Sequence, residues 1–235
     1  SREKSMFQHS QSRTEDIIGC GNGAFLETVG IMPSIREYQA RRAARLIAGR
    51  TEKPGVIVIA EGVCRLGFSA TANMVQAKTG SRYAAYVAQD AYAGFYWLEI
   101  ATETMEKSGA GLLAFNDGRF FGELAAFGLV RREWASTLYG NLLFYPHYKK
   151  GYADTELTDI ARHTGMIAYN PHSMMIEVDF DRHAADTQGI RYTAPGAEDP
   201  DGVLYVQRAL KGFDGKTEPF VPKLGPVSAV LAAEG

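Results

Sequence analysis

The chain has little cysteine: Cys20 and Cys64 are the only two among 235 residues. Two thiols supply neither a disulfide framework nor a metal-ligand set, which points to a reducing compartment, and a cytoplasmic location is the expectation. Long apolar runs are missing too. Nothing approaches the roughly 20 residues that span a bilayer, so no transmembrane segment is expected. The polar start, Ser1 to Glu15, lacks the apolar core of a secretory signal. Neither sign of charge dominates: 25 Lys and Arg against 27 Asp and Glu leave a net charge of −2, which argues against a general polyanion binder. No repeat of solenoid period is present. What remains is 46% hydrophobic and 22% charged, enough to bury a sizeable core in one α/β domain with an extension.

From Thr28 onward the chain alternates regularly between two kinds of segment. Thr28 to Met32 reads as a strand, and Pro33-Ser34 breaks it and offers a helix start. Arg36 to Arg50 has Ala40, Ala43, Ala44 and Ile47 at helical spacing. Val56 to Ala60 is a continuous apolar run, the mark of a strand buried on both faces, and it ends at Glu61-Gly62. Gly67 to Lys78 fits a helix stopped by Thr79-Gly80. A third strand, rich in aromatic residues from Tyr83, leads to Asp90, and a helix follows from Trp97 to Lys107. Strand, helix, strand, helix, strand implies a parallel sheet. In such sheets ligands bind beyond the carboxyl ends of the strands. An acid there, such as Asp90, either caps the next turn or holds a divalent cation against a diphosphate.

Several segments in this order resemble the nucleotide-binding half of GT-A fold glycosyltransferases, close to glycosyltransferase family 2. The matching residues are Ile31-Met32-Pro33-Ser34 at the end of the first strand and Glu61 at the end of the second. Gly67-Phe68-Ser69-Ala70-Thr71-Ala72-Asn73 and Gln89-Asp90-Ala91 complete the pattern. The resemblance runs from about Thr28 to Pro171. It implies a GT-A (Rossmann-like), mostly parallel central sheet flanked by helices, over residues 28–183. An N-terminal arm or loop, 1–27, would precede it, and an irregular C-terminal extension, 184–235, would pack on it and serve as a lid or an oligomer contact. It further implies a nucleotide-sugar donor, UDP-linked for instance, held by Pro33, Ser34, Glu61, Gly67, Asn73 and Asp90. Asp90 would bind Mg²⁺ or Mn²⁺. The family usually offers two or three acids at the metal position; here Asp90 stands between Gln89 and Ala91.

In the second half, Gly151-Tyr152-Ala153-Asp154-Thr155-Glu156-Leu157 opens a helix running to Thr164. On residue chemistry alone Asp154 is a good N-cap, and Glu156 suits the positive first turn. The resemblance implies instead that Asp154 is the general base of an inverting transfer, with Glu156 a weaker candidate. His172, Glu177, Asp179 and His183 are alternatives for a further metal ligand. Asn116-Asp117-Gly118 is turn chemistry first, Arg131 and Arg132 are candidates for phosphate contact, and Trp134 for a core position or a stacking platform. The acceptor implied is a glycan or lipid-linked sugar, and less favoured a hydroxymethylated DNA base; a homo-oligomer is possible. Two other functions stay open. Gly19-Cys20-Gly21-Asn22-Gly23 resembles the cofactor loop of S-adenosylmethionine-dependent methyltransferases. The thinned acid cluster also suits a non-catalytic nucleotide- or glycan-binding module.

Overall fold

The computed structural model describes residues 7–13, 26–61, 66–149, 151–178 and 199–222. Its strands are β1 (Phe7–Arg13), β2 (Leu26–Ser34), β3 (Gly55–Glu61), β4 (Ser81–Tyr86), β5 (Ala91–Ala93), β6 (Leu112–Asn116), β7 (Gly128–Arg131) and β8 (Ile167–Glu177). Its helices are α1 (Glu37–Ala48), α2 (Phe68–Lys78), α3 (Trp97–Ser108), α4 (Arg132–Tyr139), α5 (Ala153–His163) and α6 (Pro200–Ala209), followed by a short helical segment, Gly212–Gly215. The sheet order is β1-β3-β2-β4-β7-β6-β8-β5. Pairing is parallel throughout β1-β3-β2-β4 and between β6 and β8, while β7 and β5 run antiparallel to their neighbours. The sheet is therefore mostly parallel, as the strand–helix alternation predicts.

Period-two alternation along the strands sends side chains to two separate cores. On one face Val29, Ile31, Val58, Ala84, Tyr86 and Leu112 pack under α2, α4, α5 and α6. On the other, Met32, Ile57, Tyr83, Ala85 and Leu113 pack under α1 and α3. β3 needs apolar residues at consecutive positions because both of its faces are covered. The helices facing it are small-sided: α1 buries Ala40, Ala43, Ala44, Ile47 and Ala48. Four alanines on one stripe let its backbone lie close to the sheet.

Some boundaries differ from the sequence reading. The segment expected as an N-terminal arm or loop contains β1, which pairs along its length with β3. The chain after Met166 forms the single long β8. Its irregularity falls opposite β6, between Ala114 and Asn116. Arg131 and Arg132 are turned inward rather than toward a phosphate. Arg131 pairs with Glu106 at 3.1 Å, and Arg132 donates to the backbone oxygens of Gln76 and Thr79 at 2.8 Å each. Burial lowers the Arg132 pKa to about 10. Trp134 packs against the α5-side core, close enough that a Cβ on Gly111 would fall 2.2 Å from its ring.

The part of the C-terminal extension that is described is fixed by charge. Arg208 of α6 donates to both carboxylate oxygens of Glu156 in α5, at 2.8 and 2.7 Å. The Glu156 side chain is 0% exposed and that of Arg208 6%. Tyr139 and Tyr148 donate their hydroxyls to the same carboxylate, and Asp214 takes another guanidinium bond at 2.8 Å. Burial alone would lower the Arg208 pKa, but hydrogen bonds and charge from Glu156 and Asp214 outweigh it and raise it. Removing one member of such a pair strands the other charge. Arg208→Met should therefore lower unfolding free energy by about 3–5 kcal/mol in urea titrations. The double change Glu156→Gln with Arg208→Met should recover most of that loss, because no buried charge is left and the tyrosines keep an acceptor.

Candidate active site

The parallel strands β2, β3, β4 and β6 end on one edge of the sheet, and the sequence-predicted site residues divide around it. Ser34 and Glu61 are register partners at the ends of β2 and β3, as are Pro33 and Ala60 one residue earlier. Ser34 donates its hydroxyl to the Gln89 side-chain oxygen at 3.2 Å. The backbone N–H groups of Ile35 and Arg36 donate to that same oxygen at 2.9 and 2.8 Å. Gln89 thus caps the start of α1, which has no side-chain cap of its own, and ties the β2–α1 turn to the segment carrying Asp90. Pro33, Ser34, Glu61 and Asp90 are in this way drawn to one end of the β3-β2-β4 group. An acid in the place of Gln89 would lack the amide N–H that reaches Gln39 at 3.3 Å. No sequence signal marks this role, because its partners lie more than 50 residues away.

Asp90 follows β4 in the turn to β5, and its backbone oxygen accepts from Val178 at 3.0 Å. The β5–β8 register sets Glu177 opposite Ala91, the residue after Asp90. His172 lies on an exposed part of β8. Asp179 and His183 fall outside the described residues, as does the loop Gly19–Gly23. Among the described residues no three His, Cys, Asp or Glu side chains cluster to hold a metal. The donor set still fits a hard cation that takes one carboxylate and completes its shell with water and phosphate oxygens, as Mg²⁺ commonly does.

Gly67 and Asn73 act on the loop leading to α5. Gly67 precedes α2 at φ +82°, and a Cβ there would come within 2.2 Å of the Lys149 backbone oxygen. Asn73 is buried, donating to the Phe144 oxygen at 2.9 Å and accepting from the Leu143 and Phe144 N–H groups at 2.9 and 2.8 Å. Its amide is a clamp on residues 143–144. On the far side of the loop, the buried Asp201 carboxylate accepts from the N–H groups of Lys149 and Gly151, each at 3.0 Å. Tyr152, at φ 65°, then turns the chain into α5.

The helix begins at Ala153, one residue before the sequence predicts an N-cap, so Asp154 lies within the first turn rather than ahead of it. Its carboxylate accepts the Thr155 N–H at 2.9 Å. Burial raises its pKa to about 6, with the backbone bonds pulling the other way. Its charge also helps to raise the pKa of Tyr86, after burial. The connection is physical: Tyr86 donates to the Ala125 oxygen at 2.6 Å, and the Ala125 N–H donates to Thr158 of α5 at 3.1 Å. Asp90 thus lies past the end of β4, on the chain that leaves it, and Asp154 lies on α5, the helix that Ala125 links to Tyr86 of β4. Glu156, the weaker candidate for the same role, is instead the buried acid paired with Arg208. Asn116 and Asp117 are occupied as turn residues, accepting backbone N–H groups of residues 118–120.

An acid whose folded pKa is raised above its unfolded value near 3.9 binds more protons in the native state between those pH values, so stability falls as pH climbs through that window. With the folded value about 6, the full penalty, on the order of 2–3 kcal/mol, is present above that pH. Asp154→Asn should therefore stabilise the protein by that order at about pH 8 and leave it nearly unchanged at about pH 4. Urea unfolding at both pH values measures this. Gly67→Ala should destabilise by about 2 kcal/mol or more, combining the left-handed backbone penalty with the contact to Lys149; thermal unfolding reads it.

No family profile and no curated protein matches the chain. Solved structures do. A mannosyltransferase, PcManGT, from Pyrobaculum calidifontis in complex with GDP-Man and Mn²⁺ superposes with a TM-score of 0.55 at 13% identity, covering 91% of this chain and 80% of that one. S. aureus TarS in complex with UDP-GlcNAc gives 0.56 at 11% identity, over 81% of this chain and 69% of that one. A Drosophila β1,4-galactosyltransferase 7 variant bound to manganese, UDP-Gal and xylobiose gives 0.50 at 13% identity, over 68% and 74%. At these identities the likeness is one of architecture. Among the described residues no helix is long and apolar enough to cross a membrane. The chain has the GT-A fold of glycosyltransferases, a mostly parallel sheet flanked by helices.

Proposed function

We propose that this protein is a nucleotide-sugar-dependent glycosyltransferase acting by a single inverting displacement. One observation supports the reading: Asp154, an acid with a pKa raised by burial, lies on the helix that is hydrogen-bonded through Ala125 to Tyr86, the last residue of the strand that leads to Asp90. The fold supports it, because ligands of open α/β sheets bind outside the carboxyl ends of the strands. Structures of the same fold were solved with UDP- and GDP-sugars and with Mn²⁺.

In this reading the donor lies across the ends of β2, β3 and β4. Glu61 and Ser34 contact the nucleoside, and the β2–α1 turn held by Gln89 forms the floor beneath it. Asp90 would hold Mg²⁺ or Mn²⁺, which would supply positive charge against the departing diphosphate. Asp154 accepts the proton of the acceptor hydroxyl as that oxygen attacks the anomeric carbon from the opposite side. A base with a pKa near the working pH is well matched to that transfer. No second carboxylate acts as nucleophile, so the anomeric configuration inverts. The acceptor class is a glycan or lipid-linked sugar.

A panel of nucleotide sugars with Mn²⁺, scored by release of nucleoside diphosphate, tests the function. At least one donor should turn over, and the anomeric centre of its product should be inverted. Asp154→Asn should reduce kcat by about 10²–10⁴-fold and leave donor binding intact. kcat/KM of the wild type should rise with pH through about 6. Asp90→Ala should abolish the metal-dependent part of nucleoside diphosphate binding. Donor binding without turnover of any sugar would favour the non-catalytic module instead.

A further inference from the structure

The outer face of α1 concentrates one sign of charge in a chain whose net charge is −2. Arg41, Arg42 and Arg45 line a surface hollow of about 490 Å³ together with Tyr38 and Leu46. Among the described residues one carboxylate answers them, Glu37, which pairs with Arg41 at 2.7 Å while both side chains stay about half exposed. Arg42 lies over the Tyr92 ring at 5.8 Å, and no acid among the described residues pairs with it or with Arg45. Like charges spaced three and four apart on a helix repel. The helix is anchored from beneath by its alanine stripe, so the outer face need not contribute to stability.

Large apolar side chains bracket the same helix. At its start Ile35 is 62% and Tyr38 79% exposed; at its end, Phe95 is 70% and Tyr96 54% exposed. Phe95 lies under the Arg50 guanidinium at 5.0 Å, and the Tyr96 N–H is bonded to the Arg50 backbone oxygen at 2.7 Å, which fixes both beside the α1 C-terminus. A rod of roughly 18 Å thus presents arginines along its middle and apolar groups at both ends.

We propose that this face docks on an anionic lipid bilayer. Arginines pair with lipid phosphates, and the apolar side chains at each end enter the interfacial region. Charge complementarity selects the anionic surface. The exposed aliphatic and aromatic groups select a bilayer over a soluble polyanion, which offers them nothing to enter. The helix starts at the edge of the sheet where Ser34 and Gln89 meet, so docking brings that edge to the membrane. Binding itself is independent of the enzymatic reading and is measured without it.

The test is sedimentation of the full chain with phosphatidylcholine vesicles, with and without phosphatidylglycerol, alongside heparin as a soluble polyanion. The protein should bind the anionic vesicles, bind neutral ones far more weakly, and lose affinity as salt is raised. Each basic residue near such a surface contributes about fivefold. Arg42→Gln with Arg45→Gln should therefore weaken binding about 25-fold, with the thermal unfolding midpoint unchanged. Phe95→Ser should weaken the binding that persists at high salt. The proposal is overturned if anionic vesicles are not bound, if the double variant binds them like the wild type, or if heparin binds as tightly and displaces the protein from them.

Discussion

A fully buried ion pair, Glu156 with Arg208, sets where the candidate base stands. Glu156 lies two residues after Asp154 in the same helical turn, so the bond that fixes one fixes the height and rotation of the other. Four donors converge on that carboxylate: two guanidinium nitrogens and two tyrosine hydroxyls. Its acceptor capacity is filled, and the penalty for burying it is offset by charge and hydrogen bonds together. The Tyr145 ring closes the cluster, with the Arg208 guanidinium 3.3 Å from its centre. Helix α6 is thereby a structural part of the site's support rather than an appendage. Asp201 at its start holds the loop that enters α5, and Arg208 near its end holds α5 itself.

This arrangement separates two acids that look alike in sequence. Asp154 and Glu156 sit in one turn, yet Glu156 is neutralised by a cation while Asp154 has hydrogen bonds from its own and the Thr155 backbone and from the Thr155 side chain. Burial without a counter-charge raises the Asp154 pKa, the environment a general base needs near neutral pH. At the ends of β2 and β4 the organising group is an amide. Gln89 gathers three donors from Ser34, Ile35 and Arg36 and thereby sets the β2–α1 turn against the Asp90 segment. β4 links the two regions, because its Tyr86 bonds through Ala125 to Thr158 on α5.

Much of the fold was legible because periodicity and punctuation agree with it. The apolar run Val56–Ala60 announces a strand covered on both faces, and the alanine spacing of α1 announces its buried stripe. Gly67 marks the start of α2 by chemistry that only its positive φ explains. The order of acids along the chain pointed to the strand ends where they are found. What was not legible depends on tertiary contact. β1 is a polar segment whose strand state comes from pairing with β3. Asn73 reads like a ligand contact, but its amide is taken by residues 143–144, about 70 positions away. Glu156 and Asp154 could not be ranked until Arg208 was placed between α5 and α6.

The proposed mechanism requires Asp90 and Asp154 to face one donor pocket beyond the end of β4. A crystal structure with a nucleoside diphosphate and Mn²⁺ decides this. The cation should lie within about 2.0–2.3 Å of an Asp90 oxygen, the nucleoside along the ends of β2 and β3, and the Asp154 carboxylate across open space from the diphosphate. A nucleotide bound elsewhere on the molecule, or bound here with Asp154 shut off from it, would rule the mechanism out.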